Sequence, residues 1–238
     1  MSAVNRITIK EWAKKELNQH FRFYVILIIC ALLALILSQG ISSWYQFSNV
    51  GDPDPVVSTW LGIAFLISVI ASMFKTSAMF TMIDITRGET DQTEPMQKTF
   101  SIFDNGQYFI GWVVINILIA IFVFLWSLLL IFPGIIKGYS YSQAVFIYRD
   151  AIKRGEKMGY LEAITESRHR MNGKKWFLFV FDFSFFGWII LTSITAGILG
   201  IWVYPYYWLA KAKFYSEFID NPAQAQEEPV TPIDPPIE

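Results

Sequence analysis

Long apolar runs alternate with short polar stretches along this chain, and the alternation predicts helices that cross a membrane. About twenty apolar residues, at 1.5 Å each, cover the ~30 Å of a bilayer's hydrocarbon. The first run occupies residues 23–37 and extends to about 41, and the second occupies 56–83, interrupted by Lys75. A lysine stem near a helix end lets its ammonium reach the interface. The third, about 108–132, carries no charge at all, and Pro133-Gly134 is the stop expected for it. Segments 135–148 and 198–213 are apolar but short, and between them 176–196 is long and apolar with one acid, Asp182. A signal peptide is not expected. The basic stretch before the first run is about twenty residues long and no small-residue cleavage site follows the run.

Charge chooses between four crossings and six, because Lys and Arg gather in cytoplasmic loops. Arg6, Lys10, Lys14, Lys15 and Arg22 precede the first run, and the connection after it has Asp52-Pro53-Asp54-Pro55 and no cation. Arg87 and Lys98 follow the second run. Residues 149–175 hold Arg149, Lys153, Arg154, Lys157, Arg168, Arg170, Lys174 and Lys175. That block lies inside only if 135–148 crosses, and Lys211 and Lys213 return inside only if 197–209 crosses. The expected fold is therefore all-α: a polytopic bundle of six spans (about 23–41, 56–83, 108–132, 135–148, 176–196 and 198–213) over residues 23–219. Both termini are expected in the cytoplasm.

Short amphipathic helices should lie at the interface. Residues 1–22 place Ile9, Trp12, Leu17 and Phe21 on one side against Lys10, Lys14 and Lys15, with Thr8 and Glu11 spaced as a capping box. Arg87-Gly88 reads as a helix stop, Pro95 as a helix start, and Met96, Phe100 and Phe103 as membrane-facing residues. A further helix is expected over 156–172, with Leu161, Ile164, Arg168 and Met171 along one side. Residues 220–238, rich in Pro, Glu and Gln, are expected to be a disordered tail. Composition agrees with a membrane chain: 54% of the 238 residues are hydrophobic and only 16% charged, against about 25% charged in soluble domains. A mean hydropathy of +0.39 fits polar segments interleaved with apolar ones. A net charge of −1 points to no nucleic-acid partner, the lone Cys30 permits no internal disulfide, and His20 and His169 are isolated.

Asp182 is the most informative single residue. It lies about 9 Å into its helix, and an intramembrane acid faces a partner or a water-filled cavity. Lys211 or Lys213 is the expected partner, in an ion pair between helices or, as the alternative, a site that couples a proton or cation. Tyr139, Ser142, Gln143 and Phe146 share a face at helical spacing. Together with Lys137 that face can line a polar cavity, although interhelical hydrogen-bond glue is the favoured reading. Arg168, Arg170, Lys174 and Lys175 form a candidate patch for anionic lipid headgroups, and ordinary positive-inside anchoring accounts for the same charges. Asp52 and Asp54 make a weak cation site. The sequence contains no nucleotide, metal or nucleophile motif, so no cofactor, metal or catalytic residue is expected.

Several stretches together have a further likeness. These are Ile9-Lys10-Glu11-Trp12-Ala13-Lys14, the turn Phe132-Pro133-Gly134-Ile135-Ile136-Lys137-Gly138-Tyr139-Ser140-Tyr141, and Ser167 followed by Met171-Asn172-Gly173-Lys174-Lys175. To them add Phe183-Ser184-Phe185-Phe186-Gly187-Trp188, Gly197-Ile198-Leu199-Gly200-Ile201-Trp202, Tyr204-Pro205-Tyr206 and Ala212-Lys213-Phe214-Tyr215. The ordered set resembles the domain of unknown function 975 family of bacterial integral membrane proteins, over nearly the whole chain except the tail. The resemblance implies a multi-pass plasma-membrane protein and no established activity. Three roles are expected in descending order. The first is a non-enzymatic accessory, scaffold or regulatory component with a membrane-protein partner or a second copy of itself. The second is a small transporter, or a handler of lipid or peptide, using Asp182 and Gln143. The third is an intramembrane enzyme.

Overall fold

The computed structural model describes residues 5–48, 59–195 and 197–220, and these form helices and turns with no strand. The Asp52/Asp54 site and all of the expected disordered tail except Asp220, which is ordered and ion-paired, lie outside the described residues. Helix α1 (Arg6–Gln19) is capped by Asn5, whose side chain accepts from the amides of Ile7 and Thr8, while Thr8 Oγ1 accepts from the Asn5 amide. The capping box therefore sits one turn earlier than the Thr8/Glu11 pair suggested. Its apolar stripe of Ile9, Ala13 and Leu17 is fully buried against the last long helix, while Phe21 belongs to the next element. The stripe thus packs on protein, so α1 does not rest on the bilayer by that face.

Helices α2 (Phe21–Ser48) and α3 (Thr59–Arg87) form the first hairpin. Buried Ala31, Ala64, Ala71 and Ala78 keep side chains small in its core, and Ser38 Oγ donates to the Ala64 carbonyl at 2.8 Å. Trp44 and Trp60 meet edge to face near its closed end. At the other end, Gly88 (φ +72°) stops α3 where a side chain would be strained. Helix α4 (Pro95–Lys98) and a 3-10 turn at Ser101–Phe103 then pack against α2 and α3, leaving Met96, Phe100 and Phe103 exposed. Thr99 Oγ1 donates to the Leu27 carbonyl at 2.9 Å, and the Ile102 amide donates to Ser77 Oγ at 3.2 Å.

The second hairpin joins α5 (Gly106–Leu129) to α6 (Ile131–Tyr141) through extended Leu130. Pro133-Gly134 is not the stop of α5. It lies in the first turn of α6, where a missing N–H costs little, and a Cβ on Gly134 would fall 2.1 Å from Ser127 Oγ. Segment 135–148 is not one helix either, since α6 gives way to α7 (Ala144–Lys153). The cause is helix α8 (Tyr160–Arg170). Its Ser167 Oγ donates to the Ser140 carbonyl (2.8 Å) and accepts from the Gln143 amide (3.2 Å), so two groups of the regular ladder turn outward. The expected 156–172 helix is thus shorter, and its role is to wedge this break.

The third hairpin pairs α9 (Lys175–Phe183) and α10 (Phe186–Ile194) with α11 (Gly200–Phe214), which continues as a π turn, Tyr215–Ile219. Ser184, donating through Oγ to the Phe181 carbonyl, tightens one turn between α9 and α10. Phe177 stacks on Phe214 at the open end, and Trp188 meets Trp202 toward the tip. Among the described residues four stretches are long and apolar enough to cross a membrane by length and composition: Phe21–Ser48, Thr59–Arg87, Gly106–Leu129 and Lys175–Ile194. The chain is accordingly a helical membrane protein. The two remaining predicted spans are present as shorter helices, α6 followed by α7, and α11.

Candidate functional site

The open ends of the three hairpins meet in one ionic knot. Asp84 and Arg87 come from the end of α3, Arg149, Asp150 and Lys153 from α7, and Tyr215 and Asp220 from the continuation of α11. Arg87 holds Asp150 through both guanidinium nitrogens (2.6 and 3.2 Å) and reaches Asp220 at 2.9 Å. Arg149 forks onto Asp84 and also touches Asp150 at 3.1 Å. Lys153 at 3.0 Å and Arg87 at 4.0 Å add further cations to Asp84, and the Tyr215 hydroxyl donates to Asp150 at 2.8 Å. Asp150 and Arg149 are nearly inaccessible. Burial by itself would raise the Asp150 pKa, but Arg87, the Tyr215 hydroxyl and Arg149 together hold it below the usual carboxylate range. Burial beside that carboxylate pushes the Tyr215 phenol well up. In the sequence, Arg87, Arg149 and Lys153 argue for the side of the membrane, and Asp84, Asp150 and Tyr215 carry no expectation of their own. The available signal was the Arg149-Asp150 dyad facing Asp84 and Arg87, which are one helical turn apart.

Asp182, an acid inside an apolar run that calls for a partner, has two. Its carboxylate accepts from the Tyr207 hydroxyl at 3.0 Å and meets Lys211 Nζ at 3.4 Å, while Lys211 also donates to Tyr207 Oη at 3.2 Å. Lys75 lines a cavity of about 260 Å³ with Leu35, Phe185, Val203, Tyr207 and Trp208. Lys213, the alternative partner, instead pairs with Glu217 at 2.6 Å and stands over Trp12.

The other predicted site residues are not gathered around Asp182. Gln143 is buried at the α6–α7 break, where its Nε2 donates to Ser142 Oγ (2.7 Å) and Ser142 Oγ donates to the Tyr139 carbonyl (2.9 Å). Phe146 meets Phe80 and Tyr215, so the face expected along one fourth helix is divided between two. The basic patch is divided as well. Arg170 binds Glu166 (2.6 Å) and the Ile219 carbonyl (3.1 Å), and Lys174 donates to the Phe218 carbonyl. Arg168 and Lys175 instead line a separate cavity, and Lys137 joins them there with its ammonium 4.4 Å above the Trp126 ring. Among the described residues no cluster of three His, Cys, Asp or Glu is placed to hold a metal ion.

The arrangement that carries this pattern coincides with the C-terminal part of the chain. Residues 128–221 match the family described as "Protein of unknown function (DUF975)". Over this segment the chain is similar to the DUF975 family. The DUF975 match takes in the α5–α6 turn, the α8 wedge, Asp182 with Lys211, and every knot residue except those of α3. The resemblance of the α1 motif lies outside it. No curated protein and no solved structure matches the chain.

Proposed function

We propose that this chain is a non-enzymatic accessory or scaffold protein of a bacterial plasma membrane, multi-pass, with its hairpins opening to the cytoplasm and both ends on that side. The observation that carries this is the ionic knot. It fastens the ends of all three hairpins to one another, so an apolar belt is held as a rigid frame. Lys and Arg in the connections around the knot supply the orientation, and the Trp44–Trp60 pair marks the opposite interface. Six membrane-embedded segments follow from three hairpins whose ends share a face.

The hairpins differ in depth. Residues 128–132 at the tip of the second are 66–78% exposed and wholly apolar, and Ile194 and Ile198 flank the third tip at 74% and 75%. With 15 residues α11 rises about 22 Å, short of the ~30 Å hydrocarbon layer. The third tip therefore rests within the apolar layer rather than as a loop in external water, whereas α5, with 24 residues, rises about 36 Å and can bring the second tip to the far interface. A cysteine introduced at Ile198 should resist an impermeant thiol reagent from either side, and labelling from outside would replace a buried tip by a complete crossing.

Purification in mild detergent, with mass spectrometry of co-purifying proteins, tests the accessory role. A stoichiometric protein partner is expected. A chain that is recovered alone and moves a solute in proteoliposomes would instead establish a carrier. The Lys75, Asp182 and Lys211 cluster beside its cavity is the specific observation that favours that second reading.

A further inference from the structure

Two adjoining cavities on the second hairpin have complementary chemistry. The first, about 280 Å³, is lined by Lys137 of α6, Arg168 and His169 of α8, Asn172, and Lys175 of α9. It contains no acid, and among the described residues Lys137, Arg168 and Lys175 form no ion pair. Glu166, a turn away, is engaged by Arg170. Three like charges drawn to one concavity at the margin of an apolar bundle repel one another more strongly than they would in water, and a bound anion relieves that repulsion. The second cavity, about 370 Å³, runs between α5 and α8, lined chiefly by Phe122, Trp126, Tyr141, Leu161 and Ile164. Arg168 lines both, and Lys137 stands on the Trp126 ring between them. Leu161 is 57% exposed on an otherwise polar face, so the apolar groove is open at its side.

We propose that the pair of cavities is a binding site for a phosphate-bearing membrane lipid, with its headgroup phosphate among Lys137, Arg168 and Lys175 and an acyl chain along the Phe122, Trp126 and Leu161 groove. Phosphate matches the converging cations, Arg168 contributing a fork of donors and the lysines point charges. An amphiphile alone fills both cavities at once. The site does not depend on the scaffold role, because a carrier could hold the same lipid.

The discriminating experiment exploits the division of the basic patch. The full chain in detergent micelles is titrated with long-chain phosphatidic acid, phosphatidylcholine and inorganic phosphate, with one-to-one complexes read by native mass spectrometry. Lys137→Gln with Arg168→Gln should weaken phosphatidic acid binding about tenfold or more. Arg170→Gln with Lys174→Gln, an equal loss of charge at groups engaged elsewhere, should change it less than about twofold. Circular dichroism melts confirm that each pair remains folded, and Thr165→Trp, which narrows the groove and leaves the cations untouched, should weaken the lipid but not inorganic phosphate. Equal losses from both charge pairs would reduce the site to diffuse attraction and overturn the proposal. Inorganic phosphate binding as tightly as the lipid, or no binding of either, would overturn it too.

Discussion

Asp150 is held by two arginines and a tyrosine hydroxyl, so its removal leaves cations unpaired in a nearly closed site. Breaking a buried pair by deleting one partner costs about 3–5 kcal/mol. Asp150→Ala should therefore lower the melting temperature in detergent far more than Glu156→Ala, whose partner Arg154 is exposed. Equal melts would show the knot to be incidental. The pH dependence has a definite sign. Asp150 titrates lower in the fold than in the unfolded chain, so its contribution is complete above the ordinary carboxylate value near 4 and disappears as the pH falls through the lower folded value. Acid melts of the native chain should steepen in that window, and those of Asp150→Asn should lose that component. At Asp182, replacement by Asn removes a charge-assisted contact worth about 1.5–3 kcal/mol. A melt lowered by Asp182→Asn and largely restored by adding Lys211→Met would identify an interhelical staple, whereas a normal melt with loss of a transport activity would identify a coupling site.

At the scale of elements, α2, α3 and α5 were legible in the sequence because each is a long apolar run, and length decides such cases. Gly88 and Pro95 were legible as punctuation. The breaks were not. Pro133-Gly134 carries the same signal whether it ends one helix or opens the next, and the answer depends on Ser127 lying against Gly134 across the hairpin. The α6–α7 break depends on Ser167, more than twenty positions away, taking over ladder groups of residues 140 and 143. Two melting predictions follow. Gly134→Ala should destabilise by about 1–3 kcal/mol through overpacking, and Ser127→Ala should relieve part of it. Ser167→Ala should leave the Gln143 amide buried without its acceptor, at a cost of about 1–3 kcal/mol, and an unchanged melt would deny α8 its role as a wedge. For the candidate sites, the Asp182–Lys211 pair was readable because an acid inside an apolar run requires a partner. The convergence of Lys137 on Arg168 was not, because it arises from α8 turning back along the second hairpin.

For the whole molecule, charge distribution along the chain anticipated that hairpin ends share a face, and the knot supplies the physical reason. Asp84, Asp150 and Tyr215, dispersed over more than a hundred positions, can meet only if every excursion returns to its starting side. The measurement that tests this most directly is thiol labelling in intact cells of Cys30→Ser variants carrying one new cysteine, at Ser48 or at Lys157. Hairpins opening to the cytoplasm predict labelling of Ser48→Cys by an impermeant reagent from outside, and of Lys157→Cys only after permeabilisation. Labelling of Lys157→Cys from outside in intact cells would place the basic connection on the wrong face and contradict the three-hairpin account.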